Sequence, residues 1–305
     1  MVSNVIPKGN PAHDLQQAII AGNRELVLSI LLQKHADVNS LVIGKTALSL
    51  TISQNKYDLF SILLENASVN VNVRSKLMKN NLEAPIVTAC RISNVDMVKK
   101  LLQFKNLDIN VVDNHGRGAV WMCARQGEYD ILKSLLIAGA SSEMLPSTWS
   151  QSPLYCDIRY TQNTSKIAEL LILNGANVRI TTPAHQTSLA HLAITQNRVH
   201  LAYLLVQAGC WLSFDTKLKA DFHSKALDEY LTADDQDWLT MEINNPPSLQ
   251  RQCSISIRTQ LFKATKGSFF LKTLYKLPLP KPLLDNISLL NIVDKQISND
   301  MFFND

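Results

Sequence analysis

An all-α solenoid of about six helix-turn-helix repeats, closed by a short helical module near the C-terminus, is the fold class this 305-residue sequence predicts. Two observations predict it. Paired aliphatic residues recur roughly every 33 positions, at Ile30-Leu31, Leu63-Leu64, Leu101-Leu102, Leu135-Leu136, Leu170-Leu171 and Leu204-Leu205. Much later, Leu249, Cys253, Ile257 and Leu261 fall at every fourth residue, which on a helix draws one narrow apolar stripe between polar neighbours such as Gln250, Arg251 and Ser254.

The repeats are read from their punctuation. Turn-like tripeptides precede most of the pairs by sixteen or seventeen residues: Thr46-Ala47-Leu48, Ala84-Pro85-Ile86, Gly118-Ala119-Val120, Ser152-Pro153-Leu154 and Thr187-Ser188-Leu189. After the pairs come His35-Ala36, Asn66-Ala67, Gly139-Ala140, Gly175-Ala176 and Gly209-Cys210, then short leads such as Asp37-Val38-Asn39 and Asp108-Ile109-Asn110. The first unit lacks the tripeptide and carries Asp14, Gln16 and Gln17 near its start, as a polar end-cap should. The third has a turn stretched from Arg74 to Asn81. This pattern resembles the ankyrin repeat over residues 12–214. The resemblance implies turns followed by antiparallel helix pairs, each too small to stand alone and stabilised by stacking.

Residues 215–245 hold eight acidic side chains against three lysines, and Phe222, Tyr230, Leu231, Trp238 and Leu239 make them too apolar for a tether. They are expected to form a helical cap and connector, with Thr232 and Asp235 spaced as a capping pair. In the module at 246–292, Pro246 and Pro247 stop any preceding helix, Ser248 is an N-cap, and Gly267 a C-terminal stop. The run S-L-Q-R-Q-C-S-I-S-I from Ser248, followed by Leu277, Pro278, Leu279 and Pro280, resembles a SOCS box. That resemblance implies that Leu249, Cys253, Ile257 and Leu261 anchor on elongin C, and that the Leu-Pro-Leu-Pro box directs the choice of cullin five. Asn286-Ile287 stands where a Tyr-Leu often closes that box, so the cullin assignment rests on less than the elongin one. Residues 293–305 show no pattern and are expected to form a loose tail.

Composition narrows the alternatives. A hydrophobic content of 46% is too high for a disordered chain. No run of eighteen apolar residues and no apolar leader are present, so a membrane span and a secretory signal are not expected. Five cysteines without a C-x-x-C pattern suit a reducing compartment, the cytoplasm with the nucleus also open. The net charge of +4 lies wholly in the last sixty residues, since residues 1–245 carry 22 basic and 22 acidic side chains. A balanced repeat region gives no electrostatic reason to bind nucleic acid. Phosphate-binding, zinc-protease and nucleophile-elbow motifs are missing, seven histidines are scattered, and neither a catalytic site, a metal nor a cofactor is expected.

The two resemblances together imply a substrate-recognition subunit of a cullin-RING ubiquitin ligase. Its repeats would hold a protein target and its box would recruit elongin B, elongin C, cullin five and a RING-box protein; a non-ligase ankyrin scaffold is the alternative. Candidate target contacts are turn residues: Arg74, Lys76 and Lys79 in the long turn, with His115, Arg117, Trp149, Gln151, His185 and Gln186. An exposed indole is a good anchor, which favours Trp149; Trp121 and Trp211 are expected in the core. Asn39 and Asn110 each follow Asp-aliphatic with a Leu eight residues earlier, as in ankyrin substrates of asparagine hydroxylation.

Overall fold

A computed structural model describes residues 10–33, 37–78, 81–143, 152–161, 165–180, 187–212, 232–245 and 247–293. The chain forms two compact units, residues 1–122 and 123–305. The first holds α1 (Pro11–Ala21), α2 (Arg24–Leu31), α3 (Ala47–Ser53), α4 (Tyr57–Glu65), β1 (Ser75–Met78), β2 (Asn81–Glu83), α5 (Pro85–Arg91) and α6 (Val95–Leu102). The division falls inside α7 (Ala119–Gln126). The second holds α8 (Tyr129–Ile137), α9 (Pro153–Tyr160), α10 (Lys166–Leu173), α11 (Leu189–Thr195), α12 (Val199–Gln207), α13 (Ala233–Asn244), α14 (Leu249–Thr265), α15 (Phe270–Leu274) and α16 (Lys281–Ser288).

The short helices start where the turn residues say they should. Thr46 and Ser152 cap α3 and α9, each side-chain oxygen accepting from the backbone N–H three residues on. The fifth tripeptide is displaced by one residue: Ser188, not Thr187, caps α11 by accepting from the His191 N–H. The aliphatic pairs lie on the outer helices, with Ile30, Leu63, Leu101, Leu135, Leu170 and Leu204 all buried. Cationic side chains at the start of outer helices tie one repeat to the one before. Lys56 donates to the carbonyls of Ile19 and Ile20, both at 2.7 Å, and Arg198 to that of Thr161 at 3.2 Å.

The stretched turn departs from an all-α architecture. Ser75–Met78 and Asn81–Glu83 pair antiparallel, Lys76 opposite Leu82, with an irregularity between Lys76 and Met78. Alternation accounts for this. Ser75, Asn81 and Glu83 point inward and Lys76 and Leu82 outward, a period of two that no helix can use. Glu83 is held by Arg91 and by the Thr88 hydroxyl at 2.7 Å, so the buried carboxylate is satisfied.

In the second unit, repeat glycines receive side chains of the C-terminal helices. A Cβ at Gly139 would lie 2.1 Å from the Phe269 ring, one at Gly175 2.3 Å from Phe270, and one at Gly209 2.8 Å from Ile255. Gly175 also has φ +81. A methyl group there meets both a forbidden backbone region and a fully buried ring, so Gly175→Ala is expected to destabilise the protein by about 2 kcal/mol or more, read as a lower urea midpoint.

Candidate partner-binding site

The C-terminal helices of the second unit are built around one cation. Arg258, on α14, is only 5% exposed and has no carboxylate beside it among the described residues. Its guanidinium donates to the carbonyls of Ile287 at 2.8 Å and Ser288 at 3.5 Å, in the last turn of α16, and to that of Ile172 in the last turn of α10. Helix C-termini carry unsatisfied carbonyls and partial negative charge, so two of them take the place of a counter-ion. The Phe270 ring lies 5.0 Å from the guanidinium carbon. Burial draws the Arg258 pKa down to about 10, which leaves it charged at neutral pH. Two further ties fix α14: Ser141 Oγ donates to the Lys266 carbonyl at 2.6 Å, and the Ser142 N–H to that of Gly267 at 3.3 Å. At the start of the helix Arg251 is paired with Glu242 of α13 and donates to the Val206 carbonyl at 2.9 Å. The connector helix α13 has the Thr232–Asp235 capping box, and Trp238 meets Tyr203 of α12 edge-on at 5.4 Å.

The opposite side of α14 is uncovered among the described residues. Ser248 caps the helix by accepting from the Arg251 N–H, and Leu249 follows at 76% exposure. Cys253 is exposed and Ile257 half-buried, while the other four cysteines are all buried. Leu261 leaves this stripe: it turns into the unit's own core, because a four-residue step drifts around a helix and the last turn packs inward. Leu277, Pro278, Leu279 and Pro280 form the link into α16, with both prolines exposed, both leucines half-buried, and the Leu279 N–H bonded to the Leu277 carbonyl at 2.8 Å.

The target-contact residues divide. In the first unit, Asp113 is the centre of a closed cluster. It accepts from the Arg117 side chain at 2.7 Å, the backbone N–H groups of His115 and Arg117 at 2.8 Å, and Asn81 at 3.1 Å. Burial pushes the Asp113 carboxyl up, but these hydrogen bonds outweigh it and hold the pKa below the usual range. Arg117, which also lies over Trp121 at 5.4 Å, is therefore engaged within its own turn. Arg74 donates to the Val112 carbonyl. Lys76 and His115 are the exposed members of this set among the described residues. Trp149, Gln151, His185, Gln186 and Lys79 lie outside the described residues. Trp121 is half-buried, and Trp211 is 62% exposed instead of core, because it follows the end of α12 where Cys210 takes the inward position. Asn39 is occupied by two hydrogen bonds, to the Ser68 carbonyl and from the Asn70 N–H.

Among the described residues no group of three or more His, Cys, Asp or Glu side chains is placed to hold a metal ion, and no helix is long and apolar enough to cross a membrane.

Helix pairs opened by capped turns and joined by side-chain ties between successive turns define an ankyrin-type repeat, and comparison with known proteins agrees. No protein-family model matches the chain. An ankyrin repeat domain of Acinetobacter baumannii matches with a TM-score of 0.56 at 21% identity, covering 64% of this chain and 97% of that domain. At that identity the likeness is one of fold, and the fold is the ankyrin-repeat fold. By sequence, 195 residues are 25% identical to the nuclear factor NF-kappa-B p105 subunit of Gallus gallus, covering 62% of this chain and 19% of that protein. A 126-residue stretch is 28% identical to neurogenic locus notch homolog protein 1 of Homo sapiens, covering 41% of this chain and 5% of that protein.

Proposed function

We propose that this protein is a non-catalytic adaptor, with ankyrin repeats that hold a target protein and a C-terminal box that recruits elongin C and elongin B, and through them cullin five and a RING-box protein. The observation that carries this reading is the two-faced α14. One face is fixed by Arg258, Ile255 and Leu261, and the other offers Leu249, Cys253 and part of Ile257 to solvent. An apolar stripe kept exposed on a firmly held helix suits insertion into a partner's groove. Leu277 to Pro280 follow at the far end of the module, as the order of contacts in a SOCS box requires. The chain's contribution to ubiquitination would be proximity, raising the effective concentration of the target's lysine near a charged conjugating enzyme.

Co-expression with elongin B and elongin C tests this by size-exclusion chromatography. The wild type is expected to co-elute as a ternary complex, and a Leu249→Asp, Cys253→Asp double variant to elute alone with an unchanged melting temperature, since both positions are exposed in the free chain. Burying two carboxylates in the elongin groove should cost several kcal/mol, about a thousandfold in affinity. A wild type that elutes alone would leave the non-ligase ankyrin scaffold as the function.

A further inference from the structure

Ile43 occupies a place that its own fold gives it no reason to occupy. Val42 and Lys45 exchange two backbone hydrogen bonds, of 2.9 and 3.1 Å, across a two-residue turn. Both turn residues have positive φ, Ile43 at 53° and Gly44 at 77°. That geometry normally selects Asn, Asp or Gly at the first position, because a Cβ there crowds the backbone, and a β-branched side chain crowds it most. Ile43 is also 90% exposed, so burial offsets nothing.

The other non-glycine residues at positive φ differ in this respect. Asn55, Ser93 and Asn197 are small polar residues at turns between paired helices. Phe269 and Leu289 are large, but the first covers Gly139 and the second is buried, while Lys266 is exposed but unbranched and ends α14. Ile43 alone among them combines strain, branching and exposure.

Its surroundings give the surface a chemistry. Gly44 touches Lys76: a Cβ there would sit 2.9 Å from the Lys76 Cβ, and the Lys76 N–H donates to the Gly44 carbonyl at 2.6 Å. Lys76 is paired across the hairpin with Leu82, so both side chains stand on one face, and both are exposed. Leu41, just before the turn, is exposed as well. This turn and the hairpin it touches thus expose three aliphatic side chains together with a lysine that has no carboxylate partner among the described residues. The acidic groups nearby in the fold, Glu83 and Asp113, are buried and held by Arg91 and Arg117.

We infer that Ile43, Leu41, Lys76 and Leu82 form a docking surface for a partner-protein segment presenting an aliphatic side chain beside a carboxylate. Ile43 is kept at the turn for that contact, and not for the stability of the repeat. This rests on the reading of the repeats as a protein-binding surface, and it is independent of the elongin box, whose failure to bind elongins would leave it untouched.

The test is a selection of phage-displayed random peptides on the full-length chain, followed by fluorescence titration of enriched peptides against wild type, Ile43→Asn and Lys76→Glu. Enriched peptides are expected to pair Asp or Glu with Leu, Ile or Val. Ile43→Asn should weaken them at least tenfold while raising the melting temperature, and Lys76→Glu should weaken them and reduce their salt dependence. A melting temperature lowered by Ile43→Asn would mean that Ile43 serves the fold, and would overturn the inference. Enriched peptides that are uncharged or unaffected by either substitution, or no enrichment at all, would do the same. So would a wild-type dimer in sedimentation that Ile43→Asn makes monomeric, since a second copy would then be the occupant.

Discussion

Replacing Arg258 with alanine is expected to cost about 2–4 kcal/mol and, under the proposed function, to abolish co-elution with elongins, although the guanidinium touches no part of the exposed stripe. The loss follows from what remains. Without the fork, the carbonyls of Ile287 and Ser288 at the end of α16 lose their donor, and the bridge from α14 to the Ile172 carbonyl is broken. Buried acceptors without donors cost more than an average hydrogen bond contributes, because they have given up water and gained nothing. Lysine should not rescue, since one ammonium on a flexible stem cannot reach two helix ends in the geometry of a planar fork. Methionine provides the sharper comparison. Buried ion pairs can often be replaced by apolar residues at little cost, but here the partners are backbone carbonyls that cannot be mutated away with the arginine. Arg258→Met is therefore expected to lie close to alanine in urea midpoint. A methionine variant as stable as the wild type would show that the cation contributes packing alone.

Arg258 also marks where the sequence stops being readable. Between Ile257 and Thr259 it looks like another polar residue flanking a stripe, and nothing local says that it is the most deeply held side chain of α14. Its partners are carbonyls, present at every position, and they lie 29, 30 and 86 residues away. The helix starts and the aliphatic pairs were legible because capping and periodicity are local: Thr46 and Ser152 act within three residues of themselves. The stripe at Leu249 and Cys253 was legible for the same reason, and Leu261 was misplaced because four-residue spacing does not say where along a helix the packing face takes over. The contacts of Phe269 and Phe270 on Gly139 and Gly175 could have been sought from the question of what fills the space beside a repeat glycine. Ile43 carries no local signal at all, since an isoleucine before a glycine reads as an ordinary strand residue until its φ is known.

A second large effect is expected with pH, and it comes from one rung of a ladder. In the first unit Asn39 and Asn72 each bridge to the next turn with a donor and an acceptor. Asn39 donates to the Ser68 carbonyl at 2.7 Å and accepts from the Asn70 N–H at 2.8 Å, and Asn72 treats the Asn106 carbonyl and the Asp108 N–H in the same way. In the second unit Glu143 stands at the corresponding place: its N–H bonds a side chain two residues back, Ser141 Oγ, just as that of Asn39 bonds Asp37. Glu143 accepts from the Asn177 N–H at 3.0 Å, but an ionised carboxylate has no proton to give a carbonyl. Burial outweighs that one hydrogen bond and pushes its pKa up to about 7, from 4.5. The folded state therefore holds a proton that the unfolded state releases. This stability is full below pH 4.5 and is lost as pH rises through about 7, a difference of about 3 kcal/mol. Asp157, raised by burial to about 6 despite Arg198, has the same sign but finishes its loss earlier, so the interval from pH 6 to 8 belongs mainly to Glu143. Glu143→Asn restores the amide of the first unit's rungs. Its urea midpoint at pH 8 is expected to exceed that of the wild type, and its midpoint should stay nearly level between pH 6 and 8 where the wild type's falls. A wild-type midpoint that holds level or rises over that interval would mean that Glu143 is solvated or paired in solution, and the rung would then be carried by its backbone alone.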